Sequence, residues 1–568
     1  MDGGIKQRKM TETIKAQIKQ RAESRRERQN AQVTTTETGV GNFIIESGQP
    51  IVQNTVIEDE GQQINIVDAP QTSDVGAIQD VYPPSSTELD RMQWMGSVLG
   101  FLDDYEEFHD HLPLLSHGRD FEIDFLMKYM DYVFPHLFPF YQPMIHETGR
   151  SWILALLRRS RVAFHSAMSL SAYFFIFTLI DGYPGQHELC KSQMWVAVER
   201  QADICFDMIQ HDIQDLSCRA SQSTLPEKAR VMESITQVLI FEVALQRGAN
   251  WNLHLTPALA LFEEIWNSVT LEGSESKLLA ILDGMTQHLR FGLDHGGYVW
   301  SPEQAGFRFI TGLLVLIDII ASISLEQKPR MAKYHPYLLA EIDHGDPDFG
   351  IIPLQLSTHF GCQNWVLLAI SQTTLLDAWK KDMKKGCSLS MIELVNRASS
   401  ISRLLDDGIA RLNKYDPTPQ EAHMLNFRTY LNGRLSRSSA SSAIPTKAWA
   451  LAAQIYLAVV VSGWQPSNAE IRSSVSQILE LLWNIDHPSH LRALAWPLCV
   501  AGCMAEAGSQ EQQFRSLLSG MDKLSMVGAL SEAQKIMEKV WENRQILDPD
   551  IWDLTSCFRI LGTPALLF

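Results

Sequence analysis

Past Leu89 the 568 residues hold no run of alternating β-branched side chains bounded by tight turns, so nothing in that region announces a sheet. Cysteine is absent before Cys190, and the eight in the chain (Cys190, Cys205, Cys218, Cys362, Cys387, Cys499, Cys503 and Cys557) fall at spacings that give no framework of bridges. The first thirty residues are polar and basic and carry no apolar leader, so a reducing compartment and ordinary buried thiols are expected. No stretch reads as an uninterrupted membrane span: Trp152–Ile180 is broken by Arg158, Arg159, Arg161 and His165, and Gly312–Leu325 is short and carries Asp318. A repeat of fixed period is missing too, which excludes a solenoid by signature.

Recognisable catalytic arrangements are also lacking. Gly292-Leu-Asp-His-Gly-Gly297 has neither the strand before it nor the helix after it that would let backbone amides cradle a phosphate, and there is no Gly-x-Ser-x-Gly elbow. His109 with His111 and His487 with His490 are close imidazole pairs without cysteine or carboxylate partners at ligand spacing, and they read as surface histidines. No catalytic, cofactor-binding or metal residue is therefore assigned, and the chain is not expected to be an enzyme. A net charge of −18 excludes general attraction to nucleic acid or to anionic membranes, so any nucleic-acid contact has to be local.

What is present divides into three parts. Residues 1–30 carry nine Lys or Arg against four acids, in two clusters that fit a bipartite nuclear import signal. Lys6, Arg8, Lys9, Arg21, Arg25, Arg26 and Arg28 are the candidate residues for import or for sequence-blind phosphate contact on a short basic helix. Residues 31–88 hold nine acids, no Lys or Arg and two aromatics, too little apolar surface to offset ordering entropy, and they read as a flexible acidic linker.

From residue 89 to 568 the pattern is helical throughout, an all-α array. Aromatic Leu89–Pro143 is cut by Pro113, Pro135, Pro139 and Pro143, which predicts short helices and turns. Gln186–Ile213 and Pro226–Arg247 read as amphipathic helices, the second opened by a first-turn proline. In apolar Phe307–Leu325, Asp318 needs a buried partner, expected on a neighbouring helix. Ile370–Lys385 ends in lysines before Gly386, and Ser390 with Glu393 opens the next helix. Ser-rich 432–446 predicts an exposed loop. His490–Trp541 reads as three packed helices: the first kinked or displaced by Pro497, the third opened by Ser531 and Gln534 at capping-box spacing. Core packing is the default for Trp300, Phe307 and Trp365, the neighbourhood where an apolar ligand pocket is sought.

Trp496-Pro497-Leu498 with Ala501-Gly502, the Phe514-Arg515 pair and Val540-Trp541 resemble the end of the fungal-specific transcription factor regulatory domain. Gly361-Cys362-Gln363-Asn364-Trp365 and Leu376-Asp377-Ala378-Trp379-Lys380 are similar to its middle, and Phe134 to Tyr141 to its aromatic beginning. The basic segment at residues 2–28 looks like the stretch that follows the zinc cluster in relatives of the fungal acriflavine-sensitivity control protein. The resemblance implies a nuclear regulator of transport, drug-response or specialised-metabolite genes, working with the transcription machinery or other regulators, with a small-molecule effector and homodimerisation among its expectations. The family's six-cysteine zinc cluster is missing from these residues, so zinc is expected only if such a stretch lies upstream of Met1. Two readings stay open: a regulator that contacts DNA, and a helical corepressor-like partner that does not.

Overall fold

In a computed structural model, the described residues are 120–141, 149–181, 188–219, 223–245, 251–270, 276–286, 291–292, 298–340, 354–414, 443–485, 487–521, 526–549 and 551–568. All lie in one compact unit, Ser97–Phe568. The basic residues Lys6 to Arg28, the acidic segment 31–88, the His109 and His111 pair and most of the Gly292–Gly297 stretch fall outside the described residues.

The chain runs through α1 (Asp120–Lys128), a π turn (Tyr129–Val133), α2 (Phe134–Leu137), α3 (Ser151–Arg159), α4 (Arg161–Asp181), α5 (Glu188–Cys218), α6 (Leu225–Ala244), α7 (Asn252–Ser268) and α8 (Lys277–Asp283). There follow α9 (Pro302–Leu325), α10 (His335–Leu338), α11 (Leu356–Phe360), α12 (Asn364–Lys385) and α13 (Met391–Lys414). The last group is α14 (Ala443–Ser462), α15 (Ala469–Trp483), a 3-10 turn (Pro488–Leu494), α16 (Ala495–Cys503), α17 (Ser509–Ser519), α18 (Ala529–Asn543) and α19 (Leu554–Phe558). Phe291–Gly292 pairs antiparallel with Tyr298–Val299, two residues a side and the one strand pair among the described residues. The fold is all-α, as the patterning dictates.

Local chemistry sets several helix limits. Ser301 and Gln304 bond reciprocally across the first turn of α9 (2.9 and 3.2 Å), and Pro302 occupies a position whose amide has no partner to lose. Thr224, Glu227 and Pro226 repeat that arrangement at α6. Glu326, with φ of 55°, turns the chain left-handed after α9. Ser390 Oγ accepts the Glu393 amide (3.3 Å) at the start of α13.

Helix α9 is the axle. It is buried from Gln304 to Ser324 and packs against α3, α6, α7, α12 and α19. On one side α4, α5, α6 and α7 pack together; on the other α12, α13, α14, α15, α16 and α18 do so. Residues far downstream close the array: Thr555 donates to Ile323 O (3.0 Å), Ser324 to Ala565 O (2.6 Å) and the Trp251 indole to Pro564 O (3.0 Å).

Four expectations need correction. Asp318 finds its partner in the turn that follows its own helix, where it accepts the Met331 amide (2.8 Å), because the left-handed exit at Glu326 folds that turn back over α9. The third carboxyl-terminal helix opens two residues before Ser531, at Ala529 after Gly528, because the glycine's φ of 89° ends the preceding turn there. Residues 443–446 are the first turn of α14, not loop: Thr446 is buried and donates to Gly361 O (3.1 Å). Helices α9 and α14 are long and apolar enough by composition to cross a bilayer, but 94% and 72% of their most apolar windows are buried by other helices. Pro497 does displace the helix start: a 3-10 turn ends at Leu494 and α16 begins at Ala495.

Candidate functional site

The carboxyl-terminal landmarks meet in one packed module. Trp496 of α16 stacks on Trp449 of α14, with centroids 5.1 Å apart and planes within 13°. Gly502 lets α18 approach, since a Cβ there would overlap Met537 Sδ, and the Trp541 indole donates to Gly502 O (2.8 Å). Arg515 holds Glu538 through two parallel bonds (2.8 and 2.7 Å) while its guanidinium covers the Trp541 ring at 4.7 Å. These residues position helices.

The middle landmarks do the same around α12. Gly361 adopts φ of 72° beneath Phe140, whose ring carbon would lie 2.5 Å from a Cβ, so only glycine fits. Asn364 clamps the chain before α11 by donating to Leu354 O (2.7 Å) and accepting from Leu356 N (3.3 Å). Trp365 donates to Gln363 (2.7 Å) and fills the space above Gly408 of α13. Lys381 sits among Asp553 (2.7 Å), Glu326 (2.9 Å) and Asp377 (3.1 Å); burial alone would lower its ammonium, but the three carboxylates hold it above the usual lysine range.

Trp300, Phe307 and Trp365 are 5%, 0% and 3% exposed, so the neighbourhood sought for a ligand is packed core. Cys362 is fully buried, and burial pushes its thiol well above the ordinary value, which removes nucleophilic character. Among the described residues no group of three or more His, Cys, Asp or Glu side chains could hold a metal. Cys499 and Cys503, with sulfurs 4.0 Å apart in the core, contact each other and the Ala533 carbonyl instead. The zinc that the family resemblance implies has no fitting donor set in the described helices.

Open space lies elsewhere. A groove of about 530 Å³ runs past Tyr173, Trp195, Met521 and Met526. A cleft of about 520 Å³ is edged by Lys384, Lys385 and Arg559. The most polar of these three spaces, about 490 Å³, lies between α3, α4, α5 and α6 and is lined by four arginines. In the sequence that last site showed only as Arg158, Arg159 and Arg161 interrupting an apolar run. The available signal was that several arginines cannot all face an apolar core and must share water or an acidic partner.

Tryptophan, glycine and arginine contacts thus lock these helices into an all-α array. The fungal specific transcription factor domain matches residues 124–563, and the chain belongs to that family. It is similar to the transcription factor dibT of Pestalotiopsis microspora, 36% identical over 602 aligned positions that take in 100% of this chain and 92% of that protein. It is similar also to the ustiloxin B cluster transcription factor ustR of Aspergillus flavus, 30% identical over 431 positions (74% of this chain, 67% of that protein). The pestheic acid cluster transcriptional regulator 3 of Pestalotiopsis fici is 25% identical over 435 positions (75% and 72%). No solved structure matches the chain. Family and relatives are transcription factors, so this protein is a fungal transcription regulator and not an enzyme.

Proposed function

We propose that this regulator acts in the nucleus on the genes of one specialised-metabolite biosynthetic cluster. The observation that carries the reading is the end-to-end similarity to dibT, together with relatives named for the pestheic acid and ustiloxin B clusters. Residues 1–30 supply import and phosphate contact through Lys6, Arg8, Lys9, Arg21, Arg25, Arg26 and Arg28; residues 31–88 tether them; residues 89–568 form the regulatory domain that meets the transcription machinery or other regulators. Phosphate contact of this kind is salt-sensitive and blind to sequence.

The test is deletion of the gene followed by transcript profiling, with chromatin immunoprecipitation of the tagged protein. Loss of expression across one contiguous gene set that the protein occupies is expected; unchanged transcripts in every such set refute the reading. Replacing the seven basic residues by Gln is expected to move a fluorescent fusion from nucleus to cytoplasm. A second reading is favoured by the net charge of −18, which repels nucleic acid: a corepressor-like partner recruited by another DNA-bound protein. Gel shifts separate the two, since salt-resistant, sequence-specific binding by the purified chain belongs only to a direct DNA reader.

A further inference from the structure

The groove of about 530 Å³ has the volume of a small-molecule site and lies where the two groups of helices meet. Tyr173 of α4 and Trp195 of α5 border it from one group; the end of α17, Met521, Met526 and the first turns of α18 border it from the other. Of the three spaces described above, this is the one whose wall holds no Lys, Arg, His, Asp or Glu. Whichever way the side chains turn, that wall offers a charged ligand no counter-ion, and an unpaired charge brought out of water is costly. A neutral ligand meets no such penalty.

The apolar part of the wall suits a flat ring. Tyr173 and Trp195 meet edge-on with centroids 6.2 Å apart, and Trp195 stays 36% exposed although its ring is apolar. The thioethers of Met521 and Met526 are polarizable and adapt to a ring laid against them. The wall is also pinned: buried Arg492 donates to Val527 O, and the Met521 amide bonds Leu518 O (3.1 Å) at the end of α17. Its polar groups are idle. Because α18 opens at Ala529, Ser531 and Gln534 take no part in its cap, and three residues apart they share one face of the helix. Among the described residues neither side chain has a hydrogen-bond partner, nor has the Trp195 indole N–H. A hydroxyl and a carboxamide each donate and accept, so they match a hydroxyl or a carbonyl on a ligand equally well.

We propose that this groove binds an uncharged, planar aromatic molecule bearing a hydroxyl or carbonyl group, its ring against Trp195 and its polar group bonded to Ser531 or Gln534. Bound there it joins the two groups of helices, and in that role it is the regulator's effector. The effector role rests on the regulatory reading above; the binding does not.

Calorimetric titration of the purified full chain with 2-naphthol, 2-naphthoate and 2-naphthylmethylamine tests it, since the three share one ring system and differ in charge. Naphthol binds, and the anion and the cation bind about tenfold more weakly or not at all. W195A lowers naphthol affinity by about tenfold. S531A/Q534A lowers it by about threefold to tenfold and leaves the affinity for naphthalene, which has no polar group, unchanged. Both variants keep the wild-type unfolding transition, because Trp195 is exposed and the Ser531 and Gln534 side chains hold nothing among the described residues. No binding of naphthol, a charged analogue bound as tightly as naphthol, or naphthol affinity unchanged in either variant overturns the site, as does an equal fall for naphthalene in S531A/Q534A. None of these readouts involves DNA, so that result leaves the regulatory reading standing. Normal gene control by W195A in the fungus overturns the effector role alone.

Discussion

Replacing Asp318 by Asn should change how stability depends on pH, and the size of the change follows from where the carboxyl sits. It is 3% exposed on α9, and burial pushes it up to about 6 from an ordinary value of 3.8, with the Met331 and Arg330 amides opposing the rise. The folded state therefore binds a proton more tightly than the unfolded chain, and stability from this group is full below pH 3.8 and declines as pH rises toward 6. Between pH 4.5 and pH 7 the wild type should lose about 2 kcal/mol through this residue alone. Asparagine does not ionise. D318N keeps an oxygen to accept from Met331 but puts an amide donor where the second acceptor stood, which costs about 1–3 kcal/mol at every pH. Urea unfolding of both proteins at the two pH values, compared as differences so that all other titrating groups cancel, should show D318N gaining about 2 kcal/mol relative to wild type at pH 7. A difference between the two proteins that is the same at both pH values would refute the argument.

Other outcomes follow from the packing. G502A should destabilise by about 1–2 kcal/mol in thermal unfolding, because overpacking against Met537 outweighs the helix preference for alanine. In an M537A background the same change should become stabilising, a reversal that a double-mutant cycle reads directly. G408A should cost more than G502A, since the atoms facing it belong to the rigid Trp365 indole at 2.5 Å, and limited proteolysis should then cut α13 early. R515K should lose no more than about 1 kcal/mol, because the Glu538 pair is largely solvated even though its fork is bidentate.

Helix-forming patterns were legible wherever local chemistry acts alone. Pro226, Pro497, Gly386 and the Ser390–Glu393 pair all mark the ends they predict, since a missing amide or a cap works within one turn. The Ser531–Gln534 spacing misled because Gly528, with its left-handed φ, starts the helix before any side-chain cap can act. Asp318 was recognisable as a buried acid but its partner was not, since the bond depends on how the turn after Glu326 folds back. The arginine-lined cavity showed only in part, as arginines interrupting an apolar run; Arg230 is far from them in sequence, and only the packing of α4 against α6 brings it to the same space.

The bonds from Trp251, Ile323 and Ser324 to Pro564, Thr555 and Ala565 span 313, 232 and 241 residues. A stack of repeated modules can gain or lose a unit and keep its shape; a bundle whose final segment is buttoned onto its central rod cannot. Variation along this chain is thereby steered toward the connections between helices, and removing residues 554–568 should loosen α9 along with its neighbours instead of simply shortening the molecule.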